Sequence, residues 1–201
     1  AIDRRELGRS GPSPEQISYE LMAADVLALA IHLGLSKVAI VGSSDGGTTA
    51  LTIAIEKPDF VDQLVLLGAS YSLDAYSEEM LSFIRTYEWD GSMKRDVYPG
   101  MMIEHYLKGH DTLEGFGELL KEMSVMWTTT PNYTAGDLQQ VEARTLVING
   151  DRQDTRLEHA VALFRGIPNA QLFVVPGGTH YSLQKQPETI NRALMTFLAP
   201  K

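Results

Sequence analysis

The sequence predicts an α/β fold: a mostly parallel sheet flanked by helices, interrupted by a helical insertion. Three observations carry this. Four short apolar runs, at 38–41 (VAIV), 63–68 (QLVLLG), 144–149 (RTLVIN) and 170–175 (AQLFVV), have the length and composition of strands buried on both faces. Stretches of helical pattern lie between and after them, the order expected of parallel α/β units. One long interval, 71–141, holds several helical segments and no strand pattern.

Residues 1–3 read as the end of a strand, and 4–11 as a polar loop. Ser13-Pro14-Glu15-Gln16 has the chemistry of a helix start: Ser13 to cap, Pro14 at the first helical position, Gln16 to reach back. Ile17, Leu21, Ala24, Leu27, Ala28 and Ile31 give that helix an apolar face, and Gly34 stops it. After the run at 38–41 the chain turns through small residues into an apolar helix over 48–57, which Pro58 closes. The insertion contains helical segments at 78–87, 101–107, 113–127 and 135–141, separated by Gly91, Gly100, Gly109 and Pro131. Thr155 and Glu158 have capping-box spacing for a helix reaching Phe164, and 187–198 is the final helix. The chain therefore divides into core residues 1–70, an insertion over 71–141, and core residues 142–201.

With 201 residues the chain is long enough for one domain with a full core. A net charge of -9 argues against a nucleic-acid partner, because phosphates need a basic stripe. No apolar run is long enough to span a bilayer and no signal peptide is visible, so no membrane partner is expected. Cysteine is absent, which removes disulfides and thiol chemistry and fits a cytoplasmic protein. His105, His110 and His159 are read as solvated, and the histidine spacing suggests no metal site. No cofactor is called for.

Chemistry concentrates at Gly42-Ser43-Ser44-Asp45-Gly46. This is GxSxG between a strand and a helix, the context in which the middle serine is presented at a sharp bend. Glycines remove the Cβ atoms that would clash there. The Ser44 hydroxyl would stand near a helix N-terminus, where the Asp45 N–H can stabilise an oxyanion. A serine hydroxyl needs a base, and His180, in the Pro176-Gly177-Gly178-Thr179-His180 turn after the last strand, is the candidate.

This constellation resembles the nucleophile elbow of the α/β-hydrolase fold, whose members keep the order Ser, acid, His. Asp3, Arg5, Gly8 and Ser10 also match that family's DxRGxGxS loop, with Glu6 in place of its first Gly. The resemblance implies a helical cap over the site at 71–141 and an acid after the penultimate strand in a G-D-x-D pattern. Here the chain reads Gly150-Asp151-Arg152-Gln153-Asp154, so the expected position holds Gln153. Either the loop shifts by one residue and Asp154 serves, or Asp151 does, or the histidine lacks a carboxylate; Asp154 is the first choice for the acid and Asp151 the second. Ser43, Met126, Trp127 and Tyr181 are the candidates for substrate contact.

The resemblance covers nearly the whole chain but only about the last three quarters of a usual domain. The strand whose loop gives the second oxyanion donor has no counterpart in the sequence. The run at 38–41 would then be an exposed edge, to be covered in a homodimer or by rearranged N-terminal residues, unless the chain is a truncation. The implied activity is a serine hydrolase of small to medium carboxylic esters or lactones, with a small-molecule ester as partner. Two alternatives stand beside it: Asp45 as nucleophile, as in epoxide hydrolases or dehalogenases, and a non-catalytic binding protein that keeps the fold.

Overall fold

The computed structural model describes residues 1–91 and 100–199; of Gly100 and Met101 only the backbone is described. Strands β1 (Val38–Ser43), β2 (Val61–Leu67), β3 (Arg144–Gly150) and β4 (Ala170–Val175) form one sheet in that spatial order, every pair parallel. Ile40 lies opposite Leu64, Leu66 opposite Val147, and Ile148 opposite Phe173. The central strands β2 and β3 were legible as apolar runs because a parallel strand covered on both faces has no solvent face to alternate toward. The edge strands β1 and β4 are apolar runs too, although β1 leaves Ala39 and Val41 exposed.

Helices α1 (Tyr19–His32) and α2 (Asp45–Glu56) precede β2; α3 (Glu78–Thr86), α4 (Gly100–Tyr106), α5 (Phe116–Thr129) and α6 (Ala135–Leu138) lie between β2 and β3. Then α7 (Leu157–Gly166) joins β3 to β4, and the short α8 (Ser182–Lys185) and α9 (Pro187–Leu198) follow. Alternation along β2 sorts the core into two layers. Leu64 and Leu66 pack with Leu51 and Ile53 of α2 and Leu163 of α7, whereas Val65 and Leu67 pack with Ile190 and Phe197 of α9. A third cluster joins α4 and α5 to α1, through Ile103, Phe116 and Met123 against Tyr19 and Met22. Met126 is 3% exposed within this cluster, so it is core rather than an open substrate contact.

Several local readings need correction. Residues 1–3 are not in a strand; the Ser10 hydroxyl donates to the Asp3 carbonyl at 2.6 Å, closing a loop. The first helix starts at Tyr19, not at Ser13. Ser13 is engaged by Arg5, at 2.6 Å, and Ser18 caps by accepting from the Leu21 N–H at 3.1 Å. Thr155 makes no capping box either, because its hydroxyl donates to Asn149 Oδ1 at 3.1 Å; a capping box forms instead at Thr134 and Asp137. His159 is buried, not solvated.

Strand β1 is an edge, with Val41 half exposed. A groove of about 1020 Å³ runs along it, lined by Arg4, Met22, Val41, Ser43 and Gly46 among others. No helix among the described residues is long and apolar enough to cross a membrane.

Candidate active site

The bend between β1 and α2 is held by backbone contacts. A Cβ on Gly42 would lie 2.2 Å from the Gly46 carbonyl oxygen, and one on Gly47 would lie 2.8 Å from the Ala69 Cβ. Only small residues let strand and helix approach so closely. The Ser44 N–H donates to the Leu67 carbonyl at 2.8 Å, which completes the β1–β2 ladder, and α2 begins at the next residue. Ser44 itself is left at φ 54°, ψ −124°, a conformation that L-residues rarely adopt. That conformation turns its side chain off the strand end. The Asp45 N–H, at the first helical position, has no carbonyl one turn earlier to bond and is available to an anion.

On the other side, the turn after β4 is zipped to the turn after β3. The Gly178 N–H donates to the Val175 carbonyl at 3.0 Å, and the Arg152 N–H donates to the Gly178 carbonyl at 2.8 Å. A Cβ on Gly150 would lie 2.1 Å from that same carbonyl oxygen. This contact carries His180 over the strand ends, where its Nε2 lies 3.0 Å from Ser44 Oγ. The Tyr181 ring stands edge-on to the imidazole, with centroids 5.8 Å apart.

The group facing the far side of the His180 ring is Gln153. Its Oε1 accepts the Gly150 N–H at 3.1 Å, and its Nε2 lies 3.5 Å from His180 Nδ1. Among the described residues neither Asp154 nor Asp151 hydrogen-bonds to His180. Asp154 is exposed beside the start of α7, and Asp151 is exposed with Arg152 4.0 Å away. The turn does not shift to bring Asp154 inward, because Gln153 is fixed by the Gly150 N–H and the next side chain points elsewhere. The position expected for the acid thus holds the residue the sequence put there, an amide.

Asp45 points away from the serine. Its Oδ1 accepts from the Tyr19 hydroxyl at 3.0 Å and from the Trp127 indole N–H at 2.7 Å. Burial, reinforced by the Asp45 charge, pushes the Tyr19 phenol far above its usual range; burial and the same charge push Tyr76 up to about 12. Both phenols are therefore neutral at neutral pH, and Tyr19 donates to Asp45. Trp127 thus reaches the elbow by bonding Asp45, and Ser43 lies exposed on the groove along β1. The role of Tyr19 was not visible in sequence; its one signal is a tyrosine on the otherwise aliphatic face of α1.

An all-parallel sheet with a strained serine at the β1–α2 bend and a histidine from the last βα turn defines the α/β-hydrolase fold, and this chain has it. The sequence profile described as the α/β hydrolase fold matches residues 1–98. A putative esterase/lipase of Haemophilus influenzae is 26% identical, over 98% of this chain and 72% of the relative. A 2-hydroxy-6-oxononadienedioate/2-hydroxy-6-oxononatrienedioate hydrolase of Comamonas testosteroni is 26% identical, over 83% of this chain and 64% of the relative. A solved structure of a serine hydrolase involved in carbazole degradation superposes with a TM-score of 0.75 at 20% identity, covering 98% of this chain and 77% of that one. These likenesses support a hydrolase of the α/β fold.

Proposed function

We propose that the protein is a serine hydrolase acting on small to medium carboxylic esters or lactones. The observation that carries this is the 3.0 Å approach of His180 Nε2 to the hydroxyl of a serine held in a strained bend. In this reading Ser44 Oγ attacks the carbonyl carbon and its proton passes to His180 Nε2. The Asp45 N–H at the start of α2 donates to the oxyanion. The tetrahedral intermediate collapses, the C–O bond to the alcohol breaks, and the imidazolium returns its proton to the alkoxide. Water then attacks the acyl-enzyme with the same histidine as base, and the acid leaves. The helices over 71–141 serve as a cap, which Trp127 ties to the elbow through Asp45.

Asp45 as nucleophile is disfavoured, since its carboxylate is committed to two donors and the imidazole bonds Ser44 instead. The non-catalytic reading is favoured by one observation, the amide at the acid position. Hydrolysis of p-nitrophenyl acetate and butyrate by wild type and Ser44→Ala decides between them. The hydrolase reading expects fluorophosphonate labelling at Ser44 and loss of turnover in the variant; equal rates in both proteins would remove it.

A further inference from the structure

We propose that Gln153 is a positioning residue that keeps the His180 proton on Nε2, so that the resting ring donates to Ser44 Oγ instead of accepting from it. The proposal rests on the reading of Ser44 and His180 as nucleophile and base. Its starting point is the Gly150 N–H, a backbone group that can only donate. At 3.1 Å it fixes which end of the Gln153 amide is oxygen. A turned amide would set its NH2 against that N–H. The amide nitrogen also sits flush on the Gly68 backbone, where a Cβ would lie 2.2 Å from it, so the group is confined from both sides.

With the oxygen so assigned, the NH2 faces His180 Nδ1 at 3.5 Å. An Nδ1–H would point at two amide hydrogens, and no described carboxylate or carbonyl offers it an acceptor. A neutral imidazole carries one proton, so that proton belongs on Nε2, toward Ser44 Oγ 3.0 Å away. The serine then has a partner that cannot take its proton. Turnover must wait for the ring to gain a proton at Nδ1 and release the one on Nε2, and it falls with the fraction of enzyme in the competent tautomer. The scale of such an effect is known from the serine-protease triad, where the Asp-to-amide change lowers turnover by about 10⁴ through the wrong tautomer.

Gln153→Glu provides the test. One carboxylate oxygen keeps the Gly150 N–H, and the other can accept an Nδ1–H. We expect kcat for p-nitrophenyl butyrate to rise by roughly 10²-fold or more, with KM little changed. Gln153→Met, which removes the amide without adding charge, should raise kcat by less than roughly tenfold, since it frees the tautomer but offers it no acceptor. The decisive readout is independent of activity. Two-bond ¹H–¹⁵N correlation of the neutral ring, assigned by its disappearance in His180→Gln, should show protonated Nε2 in wild type and protonated Nδ1 in Gln153→Glu. A wild-type ring protonated on Nδ1 overturns the proposal, as does a Gln153→Glu protein with wild-type tautomer and turnover. Should Ser44→Ala match wild type in hydrolysis, the hydrolase reading fails by itself, while the ring spectrum still judges the role of Gln153.

Discussion

The turn after β1 and the turn after β3 are built alike and differ in what they present. In both, a glycine meets facing backbone so closely that a Cβ would fall about 2 Å from a carbonyl oxygen: Gly42 against Gly46, and Gly150 against Gly178. In both, a backbone N–H fixes the key residue, Ser44 through Leu67 and Gln153 through Gly150. The first turn delivers a hydroxyl to an imidazole. The second delivers an amide nitrogen where an acid would be expected. Backbone packing therefore sets where a side chain stands, while a single terminal atom sets what the assembled group can do.

The largest expected effect separates the chemistry of these turns from their packing. On the proposed mechanism Ser44→Ala lowers ester turnover by roughly 10³-fold or more, because the nucleophile acts as a unit with its base. The melting temperature should stay within a few degrees of wild type. Substitution of the pinching glycines should do the reverse of sparing the fold. Gly42→Ala and Gly150→Ala each force backbone apart and should cost about 3 kcal/mol, the upper range for overpacking. For a domain of this size that is a fall of roughly 6–12 °C in thermal scans. A protein that tolerated alanine at 150 but not at 42 would break the likeness between the turns.

What the sequence revealed follows the same division. The strands and the elbow were legible because each strand is a short continuous apolar run, at the edges of the sheet as at its centre, and a bend this tight demands small residues at fixed spacing. The position of Gln153 was legible too; its contact with His180 was not, since that depends on Gly150 and Gly178 touching across two loops. The same limit explains the caps. Ser13 and Thr155 both have the right chemistry for a helix start, but Arg5 and Asn149 claim them from elsewhere in the chain. Tyr19 and Trp127 converge on Asp45 from α1 and α5, a meeting that no local pattern encodes.

A smaller effect concerns how α7 is held against the segment after β2. His159, in the first turn of α7, stacks on Tyr71 at 4.2 Å and accepts the Tyr71 N–H on Nε2 at 3.1 Å. Among the described residues its buried Nδ1 has no hydrogen-bond partner. Burial pulls its pKa down to about 4, with Arg156 adding to the fall and Asp74 opposing it. The folded pKa lies below the unfolded value of about 6.5, so between these limits the unfolded chain binds the extra proton. Stability from this group is therefore complete above about pH 6.5 and is lost as pH falls toward about 4. Between pH 7 and pH 5 the loss should be about 2 kcal/mol. Urea unfolding at the two pH values should show that difference in wild type and lack this contribution in His159→Gln. An equal pH dependence in both proteins would show that the ring carries its proton in the folded state.

The smallest effect asks whether the serine bend stores strain that a glycine would relieve. Ser44 at φ 54°, ψ −124° holds a conformation costing about 1–3 kcal/mol for a residue with a Cβ. Gly177, in the histidine turn, sits at φ +65°, and no atom of the described residues lies within 4 Å of a would-be Cβ. The two positions differ in whether a side chain is required. Ser44→Gly should therefore stabilise the fold by about 1 kcal/mol, after allowing for the extra freedom of glycine in the unfolded chain, while abolishing turnover. Gly177→Ala should destabilise it by a similar amount, about 1 kcal/mol, from backbone strain alone. Opposite shifts of roughly 2–4 °C in the two melting curves are expected. A Ser44→Gly protein no more stable than wild type would mean that the hydrogen bond to His180 already offsets the strain of the bend, and that the nucleophile is held there without net loss of stability.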